Sequence, residues 1–152
     1  MIPLSGIAAR SEIMDKWIPG SHGGTYGGNA VSCAAAVATI RVIRDEKLIE
    51  NSAEMGKKLV DQLNSLQDQF PVIGDVRGLG LMVATEFTTP SGEPDKVTAE
   101  AMRNQCLEKG LILLTCGSYG NVIRWIPPLN IEDMHLEEAL NIFQSGLETT
   151  QS

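Results

Sequence analysis

At Pro71 the periodicity of the chain changes, and that change limits what the chain can fold into. Before it, residues 48–70 place Leu48, Ile49, Ala53, Met55, Leu59, Leu63 and Leu66 at helical spacing on a broad apolar face. Pro71 stops this helix, because its ring removes an amide donor and disfavours helical backbone in the residue before it. After it, residues 72–87 alternate small and branched side chains as one bent strand or two, closing in the turn-rich Thr89-Pro90-Ser91-Gly92-Glu93-Pro94. Residues 95–109 read as a helix ended by Gly110, 111–115 as a short strand, 116–121 as a turn, and 122–126 as a strand closed by Pro127-Pro128. Ile131 opens the last helical region, with Glu132 and Asp133 in its first turn and Leu136, Ala139, Leu140, Phe143 and Leu147 as its apolar stripe. The tail from Glu148 is expected to fray. This order predicts a small α+β domain, within the α/β class, with helices on one face of an antiparallel sheet.

The first forty residues do not fit inside that domain. Residues 3–9 read as a short strand and 11–17 as a capped short helix stopped by Pro19-Gly20. Asn29 suits a helix N-cap, and 30–44 form an Ala-, Val- and Ile-rich helix with no polar side until Thr39 and Arg41. Such a helix is expected to be buried, yet this segment lacks the strands to cover it, and Asp45-Glu46-Lys47 separates it from the helix that begins at Leu48. The expected division is therefore 1–44, the edge of another domain or a partner-facing surface, and 45–152, the small domain.

Between these elements lies His22-Gly23-Gly24-Thr25-Tyr26-Gly27-Gly28-Asn29, with four glycines within six residues around one hydroxyl. Glycines permit close backbone approach, Thr25 offers a directional hydroxyl, and amides near a helix start favour an anion, so a phosphate ligand is one reading. A tight connection between two elements is the other, and the segment by itself does not choose.

Composition closes several routes. A chain of 152 residues with 43% hydrophobic content can bury an ordinary core. Nineteen acidic against twelve basic residues give a net charge of −7, with no basic and aromatic cluster, which argues against nucleic acid. The uncharged run 29–40 is far shorter than the ~20 apolar residues of a membrane span. With no basic-then-apolar leader at the start, a cytoplasmic location is expected. Cys33, Cys106 and Cys116 are odd in number and outside any C-x-x-C arrangement, so reduced thiols are expected rather than disulfides or a zinc site. His22 and His135 belong to no ligand spacing, and no metal site is assigned.

Four segments taken in order add a resemblance: Pro3-Leu4-Ser5-Gly6-Ile7, the loop 22–29, Gly74-Asp75-Val76-Arg77-Gly78-Leu79-Gly80-Leu81, and Gly120-Asn121-Val122-Ile123-Arg124-Trp125-Ile126-Pro127-Pro128-Leu129. In order and spacing they resemble the C-terminal part of the class III pyridoxal-phosphate aminotransferases, and within these the 4-aminobutyrate aminotransferases. The resemblance implies that Thr25, with Gly24 and the loop amides, holds the cofactor phosphate of a neighbouring subunit, hence a homo-oligomer. It implies that Arg124 binds a substrate carboxylate, a task suited to a planar guanidinium. Arg77, Gly78 and Gly80 look like a family signature at the entrance to the small-domain sheet, the glycines serving a bulge or a close approach. His22, Tyr26, Tyr119 and Cys116 are read as hydrogen-bonding, packing or structural groups.

The same resemblance places the lysine that binds pyridoxal phosphate covalently a few residues before Pro3, with the aspartate for the pyridine nitrogen and the main phosphate loop further upstream. Lys16, Lys47, Lys57, Lys58, Lys96 and Lys109 do not occupy that position, so no catalytic residue is assigned. The implied parent enzyme moves the amino group of an ω-amino acid such as 4-aminobutyrate to a 2-oxo acid such as 2-oxoglutarate, and these residues alone are expected to be inactive. Ornithine and acetylornithine aminotransferases, decarboxylases and aminomutases share the family's features. A non-catalytic ligand-binding or oligomerisation module is the reading from a different class.

Overall fold

The computed structural model describes residues 4–150. The chain divides into two compact units, Met1–Lys47 and Leu48–Ser152, taken in turn.

In the first unit, α1 is Ser11–Met14 and α2 is Ala30–Asp45. The strand expected at 3–9 is not there: residues 4–9 form no ladder, and Pro3 lies outside the described residues. A strand needs a neighbour to take its amides and carbonyls, and the described residues of this unit supply none. The helix expected at 11–17 shrinks to one turn, with Arg10 rather than a hydroxyl side chain at its N-cap and no side-chain cap bond. Asn29 caps α2 as its type predicts, its Oδ1 accepting from the Val31 and Ser32 amides at 3.1 Å each. The expected burial of α2 fails. Only Ser32 is buried, while Val31 and Ile40 are 61% and 64% exposed. Among the described residues the unit has no sheet or second long helix to cover an all-round apolar helix.

The second unit comprises α3 (Leu48–Gln69), β1 (Ile73–Leu79), β2 (Met82–Phe87), α4 (Lys96–Glu108), β3 (Leu114–Cys116), β4 (Val122–Trp125) and α5 (Asp133–Thr150). Its strands form one antiparallel sheet in the order β1-β2-β4-β3. Residues 72–87 are thus two strands, joined tightly at Gly80 and Leu81. The strand expected at 111–115 begins later because Leu111 still belongs to the end of α4. Gly110 takes a φ of 88°, and the Leu111 amide donates to the Cys106 carbonyl at 2.8 Å, closing the helix in a Schellman-type turn. At the other end α5 does not fray from Glu148: it continues to Thr150, whose hydroxyl donates to the Leu147 carbonyl at 2.8 Å. Gln151 and Ser152 lie outside the described residues.

Helices α3 and α4 pack on the sheet, and α5 packs on both helices. Between them lies the core of Leu59, Leu63, Phe87, Met102, Ile123, Leu136, Phe143 and Leu147, each essentially fully buried. Trp125 stands edge-on to Phe143 with centroids 4.9 Å apart, and its indole N–H donates to the buried Thr85 hydroxyl at 3.0 Å. The first turn of α3 lies outside this core: Ile49 and Ala53, expected on the apolar face, are exposed. The β1–β2 turn sits directly on α3. A Cβ on Gly56 would come within 2.2 Å of the Gly80 carbonyl, and the Leu81 amide donates to Ser52 Oγ. Gly80 itself has a φ of +54°. The close approach read from the glycine pattern is therefore real, whereas the irregularity in β1 falls between Ile73 and Asp75, not at Gly78.

Candidate functional site

The glycine loop precedes α2 as two consecutive turns. The Gly27 amide donates to Gly24 O and the Asn29 amide to Tyr26 O, both at 3.3 Å, and Gly28 turns the chain with a φ of +71°. The amides of Gly24 and Thr25 and the Thr25 hydroxyl have no partner among the described residues. A Cβ on Gly23 or Gly24 would meet nothing within 4 Å, so the bareness of this backbone is not imposed by packing within the unit. Free N–H and O–H donors, with no carboxylate bonded among them, fit a phosphate oxygen. The pyridoxal phosphate implied by the resemblance is compatible with this donor set, with Thr25 and Gly24 as the residues that would hold it. His22 stacks at a tilt on Trp17, centroids 5.4 Å apart, while Tyr26 is 87% exposed.

Arg124 belongs to the second unit. Strand register places Val83, Thr85, Phe87, Ile123 and Trp125 toward the helices, so that Arg77, Ala84, Arg124 and Leu114 share the opposite, open face. Arg77 and Arg124 each lie directly across from Ala84, one on either side. Their surroundings differ. Arg77 Nη1 bonds the carboxylates of Asp75 and Glu86, the latter at 2.6 Å, and these hydrogen bonds, that to Asp75 first, raise its pKa above the ordinary arginine value. Arg124 is exposed and has no ion pair or side-chain hydrogen bond among the described residues. A bare guanidinium on an open strand can receive a carboxylate in bidentate fashion.

Sequence reasoning did not anticipate the carboxylate network beside it. Glu86 accepts from Arg77 at one oxygen and from the buried Asn121 Nδ2 at the other, at 3.3 Å, and Asn121 also donates to Phe87 O at 2.9 Å. The available signal was spacing: Asp75 and Arg77 alternate along β1, and Glu86 falls on the outward parity of β2. Tyr119 is 69% exposed and Cys116 half-buried.

At the β3 edge of the sheet a cavity of about 400 Å³ is bordered by Leu114, Arg124, Ile126, Pro128, Ile131 and His135. Leu136 and Ala139 of α5 also line it, so it lies at the sheet edge, where residues of both faces meet. Among the described residues no three His, Cys, Asp or Glu side chains gather as metal ligands, and no helix is long and apolar enough to cross a membrane.

The family described as aminotransferase class-III matches residues 2–147. The chain is 48% identical over 143 residues to 5-aminovalerate aminotransferase of Pseudomonas aeruginosa, covering 92% of this chain and 33% of that protein. It is 44% identical over 143 residues to 4-aminobutyrate aminotransferase of Escherichia coli, with the same coverage of 92% and 33%. Among solved structures, acetylornithine aminotransferase from Elizabethkingia anophelis superposes with a TM-score of 0.78 at 33% identity, covering 93% of this chain and 36% of that one. Ornithine δ-aminotransferase of Plasmodium falciparum gives 0.79 at 31% identity, covering 93% and 34%. The chain spans about a third of the length of the curated relatives it matches. It belongs to the class III aminotransferases, a pyridoxal-phosphate-dependent family.

Proposed function

We propose that these residues form the C-terminal third of an aminotransferase that takes the amino group from an ω-amino acid of the 4-aminobutyrate or 5-aminovalerate type and gives it to a 2-oxo acid such as 2-oxoglutarate. The observation that carries this reading is the unpaired Arg124 guanidinium on the open face of β4, in a chain similar to enzymes named for such substrates. Both substrate classes carry a carboxylate remote from or beside the reacting carbon, and Arg124 would fix it in place. Thr25 and the Gly24 and Thr25 amides would hold the cofactor phosphate for a neighbouring subunit, which makes the working enzyme a homo-oligomer of the cytoplasm. When bound, pyridoxal phosphate supplies the carbonyl and the electron-withdrawing ring that let an amino group change carriers. The 152 residues by themselves would not transaminate, since none of their lysines stands at the family's reactive position.

A chimera tests this. The C-terminal third of the Escherichia coli 4-aminobutyrate aminotransferase is replaced by this chain, and turnover of 4-aminobutyrate with 2-oxoglutarate is measured. The chimera is expected to be active, and Arg124→Ala is expected to lower kcat/KM by about 10- to 100-fold, the worth of a charge-assisted bidentate contact. A folded, cofactor-loaded chimera without turnover, or an Arg124→Ala chimera as efficient as its parent, overturns the reading.

A further inference from the structure

The open face of the sheet sets two arginines in competition for one glutamate. Arg77 on β1 and Arg124 on β4 both lie opposite Ala84 of β2, and Glu86, two residues along β2, is the diagonal neighbour of each. Diagonal neighbours on one sheet face are within reach of long side chains, so Glu86 has two possible cationic partners at similar backbone cost. It binds Arg77, at 2.6 Å, and not Arg124.

The reason lies in Asp75. Asp75 and Glu86 are directly paired across β1 and β2, a placement of like charges that is unfavourable by itself. A single guanidinium nitrogen of Arg77 contacts both carboxylates and removes that repulsion, while Asn121 takes the second oxygen of Glu86. Only about a quarter of the Glu86 side chain remains exposed, at 28%. Were Arg77 absent, Glu86 would face Asp75 unneutralised, and the nearest remaining cation on this face is Arg124. Glu86 would move to it and occupy the guanidinium edge that a carboxylate ligand needs.

We propose that Arg77 is a positioning residue for Arg124: by engaging Glu86, it keeps the second guanidinium of this face open to an incoming carboxylate. The proposal rests on reading Arg124 as a carboxylate binder, and its test separates the two. The 152-residue chain is treated with phenylglyoxal, which adds to accessible guanidinium groups, and the adduct at Arg124 is followed over time by mass spectrometry. In Arg77→Met the rate at Arg124 is expected to fall about fivefold, the range of an exposed ion pair. The double variant Arg77→Met/Glu86→Gln restores it, and Arg77→Lys, which keeps the cation, leaves it near its starting value. A purely structural role for Arg77 would not be reversed by removing Glu86. Unchanged reactivity of Arg124 in Arg77→Met, or slowing that persists in the double variant, overturns the proposal. A separate arm adds glutarate to the unsubstituted chain: failure to protect Arg124 counts against the carboxylate-binding reading and leaves the measured competition between the arginines intact. Circular dichroism of each variant confirms that it is folded.

Discussion

Helices α2 and α3 are consecutive in the chain with only Glu46 and Lys47 between them, and their fates are opposite. On α3, Leu59 and Leu63 are fully buried; on α2, Val37 and Ile40 are 48% and 64% exposed. Apolar content does not separate the two, since α2 has more of it. What separates them is that α3 alternates its leucines with Glu54, Lys57, Lys58 and Asp61, so one side belongs in water and the other on a sheet that the same unit provides. Lys58 ties that wet side to Asp133 and Glu137 at the start of α5. Helix α2 has no such division, and the described residues of its own unit form no layer to lay over it. A core is a property of a helix together with its partner layer, not of the helix sequence.

The strongest way to break this contrast is to truncate one side chain in each region. Phe143→Ala removes the ring against which Phe87 and Trp125 pack, and it should cost about 3–5 kcal/mol in denaturant unfolding followed by far-ultraviolet circular dichroism. Ile40→Ala on α2 should shift the same transition by less than about 0.5 kcal/mol, as an exposed truncation does. Equal effects would show that α2 belongs to the same cooperative core. A smaller change sharpens the point at the junction of α3 and the sheet. Gly56→Ala drives a Cβ into the Gly80 carbonyl, backbone that cannot swing aside, and an overpacking cost of about 1–3 kcal/mol is expected in the same assay. An unchanged midpoint would mean that the hairpin turn is free to lift from the helix.

These regions were also unequally legible. In the second unit local signals and tertiary layers agree: Pro71 ends a helix, alternation marks strands, Gly110 closes α4, and each error was one of extent. β3 starts late because Leu111 completes the turn that ends α4, a detail set by the Cys106 carbonyl and not by strand propensity. In the first unit the Asn29 cap was readable because capping is local, while the strand at 4–9 was not, because a strand exists only where another strand receives it. At the candidate site, Arg124 was singled out by its motif, and the structure places it exposed on β4. Its freedom was not legible, because that depends on Glu86 choosing Arg77, a choice made by cross-strand register that sequence order does not display.

The last test uses one residue type in both regions. Cys33 on α2 is half-buried, whereas Cys106 on α4 is fully buried in the core, and that burial pushes its thiol from 9.0 up to about 11 against the weaker opposing pull of Lys109. The native protein therefore holds the Cys106 proton more tightly than the unfolded chain does. The stability linked to that difference is fully present below pH 9 and is lost as pH rises toward about 11, where the unfolded thiolate forms and the folded one resists. Denaturation midpoints measured at pH 8 and at pH 10.5 should fall more steeply for the unsubstituted chain than for Cys106→Ala, whose baseline is lower but lacks this linked proton. Lysines away from Cys106 contribute equally to both proteins and cancel in the difference; Lys109, which acts on the thiol, does not. In parallel, iodoacetamide at pH 8 should label Cys33 and Cys116 well before Cys106, which reacts only as the second unit opens. Matching pH slopes with and without Cys106, or early labelling of all three thiols, would show that the core around α4 admits solvent as freely as the exposed helix does.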